Sequence, residues 1–552
     1  MPRRSGAGGS RRGVAVLLWA VAALISGFTM RRYLEPFDEG LLMRGASRIL
    51  DGQWPYADFG WPYGPGQPAA VAGLSWLFEP SVAWWRGLRV AADATAAVAV
   101  WALVRPAAGD RWALGAWLAA ALTMAQPTSA NPFPVALAFA LCAVLAGARG
   151  KPVPAGLLAA AAAFWRPDIG AVAAAAAVVA LLVVGADDAR GGAPTHRRVA
   201  RRGGRRAAAL AGAVAVGAAA ALYAPFAAEA GIARLWDELV GIAAGDGDLW
   251  RLPFPLGYGG PLRGWPPDAL AEDLKDVLGF YLPLLGVALG VLVLVSFVRR
   301  RPGPELTSVT ALGFGCSLYL FSRPDDLHAQ PLVVCLCAAV PLAATAAPRA
   351  ARAQGTPRAE RTPRAETPRR DRTPRAEGAL RAALAVGLAL IVLAGAANRL
   401  SALLLPPALE PVHLAGVPGI RVPPAEAEAL PRMVAAVQRL VPRGDPIYVA
   451  PRRSDLVTIS DPLIHFLVRR PNVLSRDVGV QALPEEQART VAALRRARPR
   501  AVVRWTDPAS ARPEPNRRGR PSGSRALDEY LATAYRLDAR FGAYDVLVPR
   551  GR

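Results

Sequence analysis

The chain carries repeated runs of apolar residues that are each about as long as a membrane-spanning helix. A helix needs roughly 20 mostly apolar residues to cross the hydrocarbon of a bilayer. Because 53% of the 552 residues are hydrophobic, a single water-soluble core cannot account for the pattern. The sequence therefore predicts an all-α polytopic membrane protein with about eleven transmembrane helices and additional interfacial helices. The predicted spans are 13–29, 83–104, 112–126, 133–149, 153–165, 168–185, 206–229, 276–298, 307–322, 328–347 and 380–404.

The basic residues predict an orientation for these spans. The net charge is +23, and arginine is concentrated before the first span, in 190–206 and in 348–381. Lys and Arg collect in cytoplasmic loops, so we expect a cytoplasmic N-terminus in a bacterial-type plasma membrane. The blocks adjoin apolar runs and no nucleic-acid-binding motif accompanies them, which argues against a nucleic-acid partner.

The same reasoning divides the chain into four parts. Residues 1–347 form the transmembrane region, with a first outer loop at 30–68. Residues 348–379 repeat TPRAE and are Pro-rich and charged, which indicates a disordered cytoplasmic linker before the last span, 380–405. Residues 406–552 are predicted to form a small extracytoplasmic α/β domain. Its predicted strands are 446–450, 501–506 and 544–549, and its predicted helices are 427–440, 485–497 and 527–537.

The first outer loop has the densest collection of chemically useful side chains. Asp38 and Glu39 open an amphipathic pattern, 38–51, that predicts a helix lying on the membrane. Charged groups are costly near hydrocarbon, so these carboxylates indicate an active-site loop. The simpler alternative is that Asp38 only caps the helix and Glu39 complements its dipole. Candidate substrate-binding residues follow in the same loop: Tyr56, Asp58, Trp61 and Tyr63.

A second candidate is the sequence WRPDIG at a predicted outer turn between two spans. Pro167 breaks the helix there, and the Arg166 guanidinium offers a two-pronged fork that suits a phosphate. Asp168 is a candidate substrate contact or a cap for the next helix. The alternative is a local ion pair between Arg166 and Asp168 without a ligand.

A third candidate is SRPDDLHAQP at another predicted outer turn. Arg323 and His328 are candidates for holding a phosphate, and Asp325 and Asp326 for contacting substrate. An aspartate with His328 could instead bind a divalent cation, but no metal-binding spacing supports a cofactor. Asp326 could also be no more than a helix cap.

Other chemistry finds little support in the sequence. All four cysteines lie in apolar runs, which predicts neither disulfides nor a zinc site. The chain has no Walker A motif and no GxSxG motif, which leaves nucleotide and serine hydrolysis unsupported.

The features that remain resemble the GT-C class of membrane glycosyltransferases. The chain is most similar to the family 39-like group that uses polyprenyl-phosphate sugars, which includes protein O-mannosyltransferases and aminoarabinose transferases. The resemblance rests on FDEG (37–40), the stretch 52–68, RPD (166–168) and SRPDDLH (322–328), whereas HxxP-type and RY-type signatures of some subfamilies are missing. It implies an inverting transfer from a polyprenyl-phosphate sugar to a hydroxyl of a lipid, polysaccharide or protein. It also implies that Asp38 is the general base, with Glu39 the less favoured neighbour.

A different class of function remains open at this point. A transporter, flippase or polymerase of polyprenyl-linked glycans, or an acyltransferase, would also be polytopic. A transporter needs charged groups inside its spans, whereas the charges here lie at predicted span ends. Convergence of residues 38, 166 and 323–328 on one cavity would favour the glycosyltransferase.

Overall fold

The computed structural model describes residues 7–188, 194–241, 251–252, 259–298, 303–321, 323–354, 374–458, 460–477, 482–508 and 520–551. In this part of the chain a long helix occupies each predicted span. These helices are α1 (Ala7–Gly27), α4 (Val82–Ala108), α5 (Asp110–Met124), α6 (Phe133–Ala148), α7 (Pro152–Trp165), α8 (Pro167–Asp188), α9 (Pro194–Ala230), α11 (Pro267–Val298), α12 (Pro304–Leu318), α13 (Asp326–Gln354) and α14 (Pro374–Leu404). Shorter helices are α2 (Asp38–Leu50), α3 (Gly66–Leu77) and α10 (Ile232–Trp236), which a π-helical turn, Asp237–Gly241, extends.

The helices fit a membrane protein, as the sequence predicts. Among the described residues, five helical segments are long and apolar enough to cross a bilayer: Val82–Ala108, Pro167–Asp188, Arg202–Ala230, Leu327–Ala346 and Arg381–Leu404. Arg12–Gly27, Phe133–Ala148 and Pro152–Trp165 are apolar but shorter. The count of about eleven spans stays a prediction.

The break between α7 and α8 follows from its sequence. Arg166 is extended, with φ −147° and ψ 104°, and α8 begins at Pro167, which has no N–H to donate. The two helices then pack closely, because Gly170 presents no side chain to the backbone of Ala163. The tight turn places Arg166 at one end of the helical bundle.

The predicted linker is partly helical. Helix α13 continues to Gln354 and α14 begins at Pro374, so both ends of 348–379 differ from the prediction. Residues 355–373 lie outside the described residues. The two flanking helices use Ala-rich sequence that favours helix wherever it adjoins a span.

The C-terminal segment forms an α/β domain, as predicted. A four-stranded sheet has the order β3–β4–β6–β5, with β3 and β4 parallel and the other pairs antiparallel. Its strands are β3 (Tyr448–Ala450), β4 (Val502–Trp505), β5 (Tyr535–Phe541) and β6 (Tyr544–Pro549), and β1 (Glu410–Pro411) pairs with β2 (Arg421–Val422). Its helices are α15 (Pro424–Leu440), α16 (Leu463–Val468), α17 (Pro484–Ala497) and α18 (Ala526–Ala534).

One predicted helix of this domain is wrong at its end. The helix predicted at 527–537 stops at Ala534, and Tyr535 begins β5. Residues after Tyr535 gain a partner in β6 through a hairpin whose turn uses Gly542 at φ 54°. Sheet pairing therefore overrides the local helical pattern.

Helix α2 is buried between the bundle and the C-terminal domain instead of lying on a membrane surface. Arg44 and Arg48, which form its predicted polar face, are only 5% and 4% exposed. The Nε atom of Arg48 lies 2.8 Å from Oδ2 of Asp477, and its Nη2 donates to the carbonyl of Leu474 at 2.8 Å. The polar face predicted for water or headgroups thus faces protein.

We expect Asp477→Asn to loosen the C-terminal domain from α2. The buried guanidiniums of Arg48 and of Arg44, whose Nε lies 3.8 Å from Oδ2 of Asp477, would lose this countercharge. Removing one partner of a buried ion pair costs about 3–5 kcal/mol. The measurement is the melting temperature of the purified full chain together with hydrogen exchange of α2. Asp445→Asn is the matched control, because Asp445 forms a half-exposed pair with Arg500. Equal melting temperatures for both variants would contradict the proposed docking.

Candidate active site

Asp38 is the first residue of α2, and its carboxylate is available for a ligand. The residue at the N-cap position is Phe37, whose side chain makes no capping hydrogen bond, and Asp38 is already helical, so the interpretation of Asp38 as a cap is wrong. Among the described residues, none donates a hydrogen bond to the Asp38 carboxylate. Burial raises the pKa of Asp38, while the nearby His328 and Arg323 oppose that rise. Because burial outweighs the two opposing groups, the Asp38 carboxylate accepts a proton more readily than an exposed aspartate does.

Asp325 organises the cationic side of the site. Its Oδ1 accepts hydrogen bonds from the backbone N–H of His328 at 2.9 Å and from Nδ1 of the same residue at 2.6 Å. Its Oδ2 accepts from Nε of Arg323 at 3.1 Å. Burial raises the pKa of Asp325, but the bonds from His328 and the charge of Arg323 outweigh it, so the pKa lies below its usual value. Asp325 remains ionised and holds both neighbours in place.

This geometry corrects one prediction. Helix α13 begins at Asp326, so the preceding residue, Asp325, caps it through the bond from the His328 amide. The side chain of Asp326 lies outside the described residues. Within the described part of the chain, no group of three His, Cys, Asp or Glu side chains could hold a metal ion.

Arg166 forms the predicted local pair and keeps one edge of its guanidinium free. Nε and Nη2 donate to the two oxygens of Asp168 at 3.0 and 2.7 Å. Nη1 is buried and has no hydrogen-bond partner among the described residues. The guanidinium carbon lies 3.9 Å from the ring centre of Phe133 and within 5.5 Å of those of Tyr63 and Tyr319. An unsatisfied buried guanidinium nitrogen is costly unless a ligand accepts from it.

The aromatic rings join Arg166 to the other two sets of residues. The ring centres of Tyr319 and His328 are 4.9 Å apart, which connects Arg166 to the α13 turn. Burial and the charge of Asp38 raise the pKa of Tyr63, and the charge of Arg166 lowers it, so this tyrosine lies near both residues. We call these residues the Asp38 cluster: Asp38, Tyr63, Arg166, Tyr319, Arg323 and His328. The structure therefore brings residues 38, 166 and 323–328 to one end of the bundle.

Glu39 lies outside this cluster. Its carboxylate forms a two-pronged pair with Arg86, from Nε at 2.8 Å and Nη2 at 2.7 Å, and both side chains are completely buried. Such a saturated carboxylate cannot easily accept a proton from a substrate. The geometry therefore favours a structural role for Glu39 over the predicted alternative base.

Three predicted substrate contacts support the loop instead of facing the cluster. Tyr56 is fully buried, and its hydroxyl donates to the carbonyl of Tyr63 at 2.5 Å. Trp61 is 1% exposed and donates from Nε1 to the carbonyl of Gly64 at 3.0 Å. The exposed Asp58 accepts from the amide of Trp54 at 2.7 Å. These side chains shape the loop that presents Tyr63.

Sequence reasoning missed Glu35, Phe133 and Tyr319. The Glu35 carboxylate accepts from the amides of Phe37 at 3.1 Å and Glu39 at 2.7 Å, and thereby takes the place of a cap for α2. Burial, together with the negative charge of Asp38, raises the pKa of Glu35 to about 8. The sequence signal that could have identified Glu35 is its position three residues before Asp38, where a carboxylate can reach the free amides at the start of α2. The two aromatics sit at helix ends inside apolar sequence, where no pattern distinguishes them from core residues.

An apolar groove runs beside the cluster along α5, α11, α13 and α14. Polar groups stand among its apolar walls, including Lys275 near the start of α11 and Gln330, whose amide donates to the carbonyl of Thr123 at 2.8 Å. Ala329 and Gln330 line this groove, and the preceding residue, His328, belongs to the Asp38 cluster. The first turn of α13 therefore borders both features. The groove is lined mainly by Leu122, Leu278, Leu282, Val333, Ile391 and Ala394.

Comparison with solved structures identifies the architecture. The crystal structure of ArnT from Cupriavidus metallidurans in the apo state aligns with a TM-score of 0.50 at 15% identity, and the alignment covers 98% of each chain. The chain has the fold of ArnT. This fold is GT-C, as the resemblance of the first loop predicts. ArnT has also been solved with undecaprenyl phosphate bound, and this form aligns at a TM-score of 0.45 with 16% identity over 99% and 98% of the two chains.

A second GT-C structure aligns less closely. AglB, the archaeal oligosaccharyltransferase from Archaeoglobus fulgidus, gives a TM-score of 0.46 at 12% identity over 98% of this chain and 75% of AglB. No protein-family model matches the sequence, and a search of curated proteins gave no match either.

We expect Gly40→Ala to displace Asp38 by altering the seat of α2. A Cβ at Gly40 would collide with the backbone nitrogen of Leu463 in α16, so the helix or the domain must shift. We expect hydrogen exchange at the start of α2 and in α16 to increase by at least tenfold. Gly73→Ala in α3 is the control, because a Cβ there meets nothing within 4 Å. Unchanged exchange in the Gly40 variant would contradict the close contact.

Proposed function

We propose that the chain is a membrane glycosyltransferase that moves a hexosyl or pentosyl group from a polyprenyl-phosphate donor to an acceptor hydroxyl, with inversion. The observation that carries this proposal is the position of the Asp38 carboxylate, which accepts no hydrogen bond from a described residue and faces Arg323 and His328. The guanidinium of Arg166, whose Nη1 has no partner among the described residues, lies 5.2 Å from the ring centre of Tyr63. A base and phosphate-binding cations within one cluster match a displacement at an anomeric carbon.

In the proposed reaction Asp38 is the general base. The acceptor hydroxyl gives its proton to the Asp38 carboxylate while its oxygen forms a bond to the anomeric carbon of the donor. The bond between that carbon and the phosphate oxygen breaks at the same time, and both electrons leave with the polyprenyl phosphate. Phosphate is a good leaving group without added acid, so one carboxylate suffices. The transition state has oxocarbenium character, as in other glycosyl transfers.

The cations of the cluster stabilise the leaving phosphate. Arg166 donates from Nη1 to a phosphate oxygen, while Asp168 keeps its other edge fixed. Arg323 and His328, held by Asp325, supply charge or a hydrogen bond from the opposite side. Preorganised donors of this kind act most strongly where charge develops in the transition state. Asp325 and Asp168 are positioning residues in this scheme.

The proposal also assigns the site of the isoprenoid chain, the orientation in the membrane and the acceptor. The groove along α5, α11, α13 and α14 offers apolar walls for an isoprenoid chain whose phosphate would lie near His328. The positive-inside pattern places the N-terminus in the cytoplasm and the Asp38 cluster with domain 406–552 outside a bacterial-type plasma membrane. The acceptor is a hydroxyl of a lipid, a polysaccharide or a protein that reaches this outer face.

We expect Asp38→Asn to reduce transfer by at least 100-fold, because positioned general bases contribute about 10²–10⁴ in rate. The measurement is transfer of label from radiolabelled polyprenyl-phosphate sugars in membranes that contain the full chain. Asp110→Asn is the control, since Asp110 is an exposed carboxylate whose ion pair with Arg105 lies outside the Asp38 cluster. Full activity in the Asp38→Asn variant would refute the assignment of the base. A change of less than threefold is expected for the control.

We expect Arg323→Gln to move the acidic limb of the pH–rate profile to higher pH. The reaction needs ionised Asp38, so the rate falls as the pH decreases through the pKa of this residue. Arg323 lowers that pKa, and its removal should therefore raise it. The measurement is the rate between pH 4 and pH 9 in the wild type, this variant and Arg105→Gln, which removes an exposed charge paired with Asp110. If the acidic limb moves equally in both variants, or does not move in either, then Arg323 does not set the pKa of the catalytic base.

A further inference from the structure

The C-terminal domain contains a basic cavity that lies apart from the Asp38 cluster. It has a volume of about 630 Å³, within the range of small-molecule sites. Four of its lining side chains are basic, and no carboxylate lines it. The basic residues are His413, Arg443, Arg469 and Arg470. We call it the basic cavity.

Arg470 builds the wall of this cavity. It is 5% exposed, and its guanidinium donates to four backbone carbonyls, including that of Val441 at 2.8 and 2.6 Å. The other acceptors are the carbonyls of Gln438, Val468 and Arg469. These bonds tie the end of α15 to the end of α16. The wall is therefore rigid, and all five donors of Arg470 are used inside the protein.

Arg443 and Arg469 supply the charge that a ligand could meet. Both side chains are exposed, and neither has a hydrogen bond or ion pair with any described residue. The nearby carboxylate of Asp445 forms an ion pair with Arg500 at 3.3 Å. Arg469 ends α16 in the left-handed conformation, with φ 55°, so its backbone is set by the cap. Two unpaired guanidiniums above a fixed wall suit a phosphate, whose oxygens can accept paired N–H donors.

The cavity adjoins the end of a membrane-spanning helix. Its lining residues Leu414 and Ala415 directly precede Gly416, whose carbonyl accepts from the amide of Val82 at 3.0 Å. Val82 is the first residue of α4. Just before α4 lie three strongly exposed apolar residues, Trp76, Leu77 and Phe78, at 77, 64 and 55% exposure. Exposed tryptophan and phenylalanine at a span end are typical of the headgroup region of a bilayer.

We infer that the basic cavity binds the phosphate headgroup of an anionic membrane lipid in the leaflet beside the C-terminal domain. The cavity holds cations without acids, and the neighbouring Trp76, Leu77 and Phe78 mark the depth at which headgroups lie. Arg443 and Arg469 contact the phosphate, while Arg470 shapes the wall. This site anchors the domain to the bilayer and does not depend on the proposed glycosyl transfer.

The test is native mass spectrometry of the full chain in a neutral detergent, titrated with phosphatidylglycerol or with phosphatidylcholine. The pocket variant changes two arginines of the basic cavity, Arg443→Gln with Arg469→Gln. The control variant, Arg496→Gln with Arg536→Gln, removes two exposed arginines elsewhere in the domain. We expect the pocket variant to weaken the tightest phosphatidylglycerol binding by at least fivefold. We expect phosphatidylcholine binding and the control variant to be unchanged. Hydrogen exchange should show lipid-dependent protection at 413–415 and 438–443.

Three outcomes would overturn the inference. The first is an equal loss of phosphatidylglycerol affinity in both double variants, and the second is no loss of this affinity in either. The third is that inorganic phosphate protects 413–415 and 438–443 from hydrogen exchange as well as the lipid does at equal concentration. The last result would assign the cavity to free phosphate. Arg443→Gln alone provides a second variant if the double change impairs folding, and it should still weaken lipid binding measurably.

Discussion

The structure depends on the buried ion pair between Arg86 of α4 and Glu39 of α2. Arg86 uses all five donors, giving two hydrogen bonds to Glu39 and three to the carbonyls of Met30, Arg32 and Tyr33. A buried pair of this kind adds little net stability, but it specifies one arrangement because any other leaves charges unpaired. The pair fixes the start of the first outer loop and the first turn of α2 against the bundle. Asp38 directly precedes Glu39 in the sequence, so the pair between Glu39 and Arg86 also fixes the position of Asp38.

The C-terminal domain fixes the opposite side of the same helix. Leu463 packs against Gly40, Asp477 pairs with Arg48, and β2 bonds to residues 31–33 of the outer loop through Arg421. Helix α2 therefore lies between the helical bundle and the C-terminal domain, and its first residue, Asp38, takes part in neither ion pair. Residues 406–552 contribute no side chain to the Asp38 cluster as defined above. The domain acts on the site by holding its helix in place.

The sequence was sufficient for features that depend on local composition. Apolar runs predicted the helices, Pro167 predicted the break beside Arg166, and FDEG predicted the start of α2. It was insufficient wherever distant contacts decide the outcome. The two carboxylates at 38 and 39 look equivalent in sequence, and only Arg86, 47 residues further along, separates the paired one from the other. Likewise, the pattern of 38–51 shows that one face is polar, but not that this face meets Asp477 instead of lipid headgroups. Phe133 and Tyr319 are indistinguishable from core residues until α6 and the turn after α12 are assembled.

Counting guanidinium donors separates the fully paired arginines of this chain from those that keep an unpaired nitrogen. Every guanidinium N–H of Arg86 and of Arg470 donates a hydrogen bond to the protein, so each of these arginines crosslinks separate segments. Arg166 is also buried, yet two of its nitrogens donate to Asp168 and Nη1 has no partner in the described part of the chain. Arg44, Arg399 and Arg504 also have a buried nitrogen without a hydrogen-bond partner among the described residues, so it is the aromatic surroundings of Arg166 that single it out. Folding leaves such a donor unpaired only at a cost, because the group has lost water without gaining a partner. A phosphate oxygen at Nη1 would recover that cost, and the surrounding rings of Phe133, Tyr63 and Tyr319 would keep water from competing for it. In the proposed reaction, this unpaired donor is where the leaving phosphate would bind.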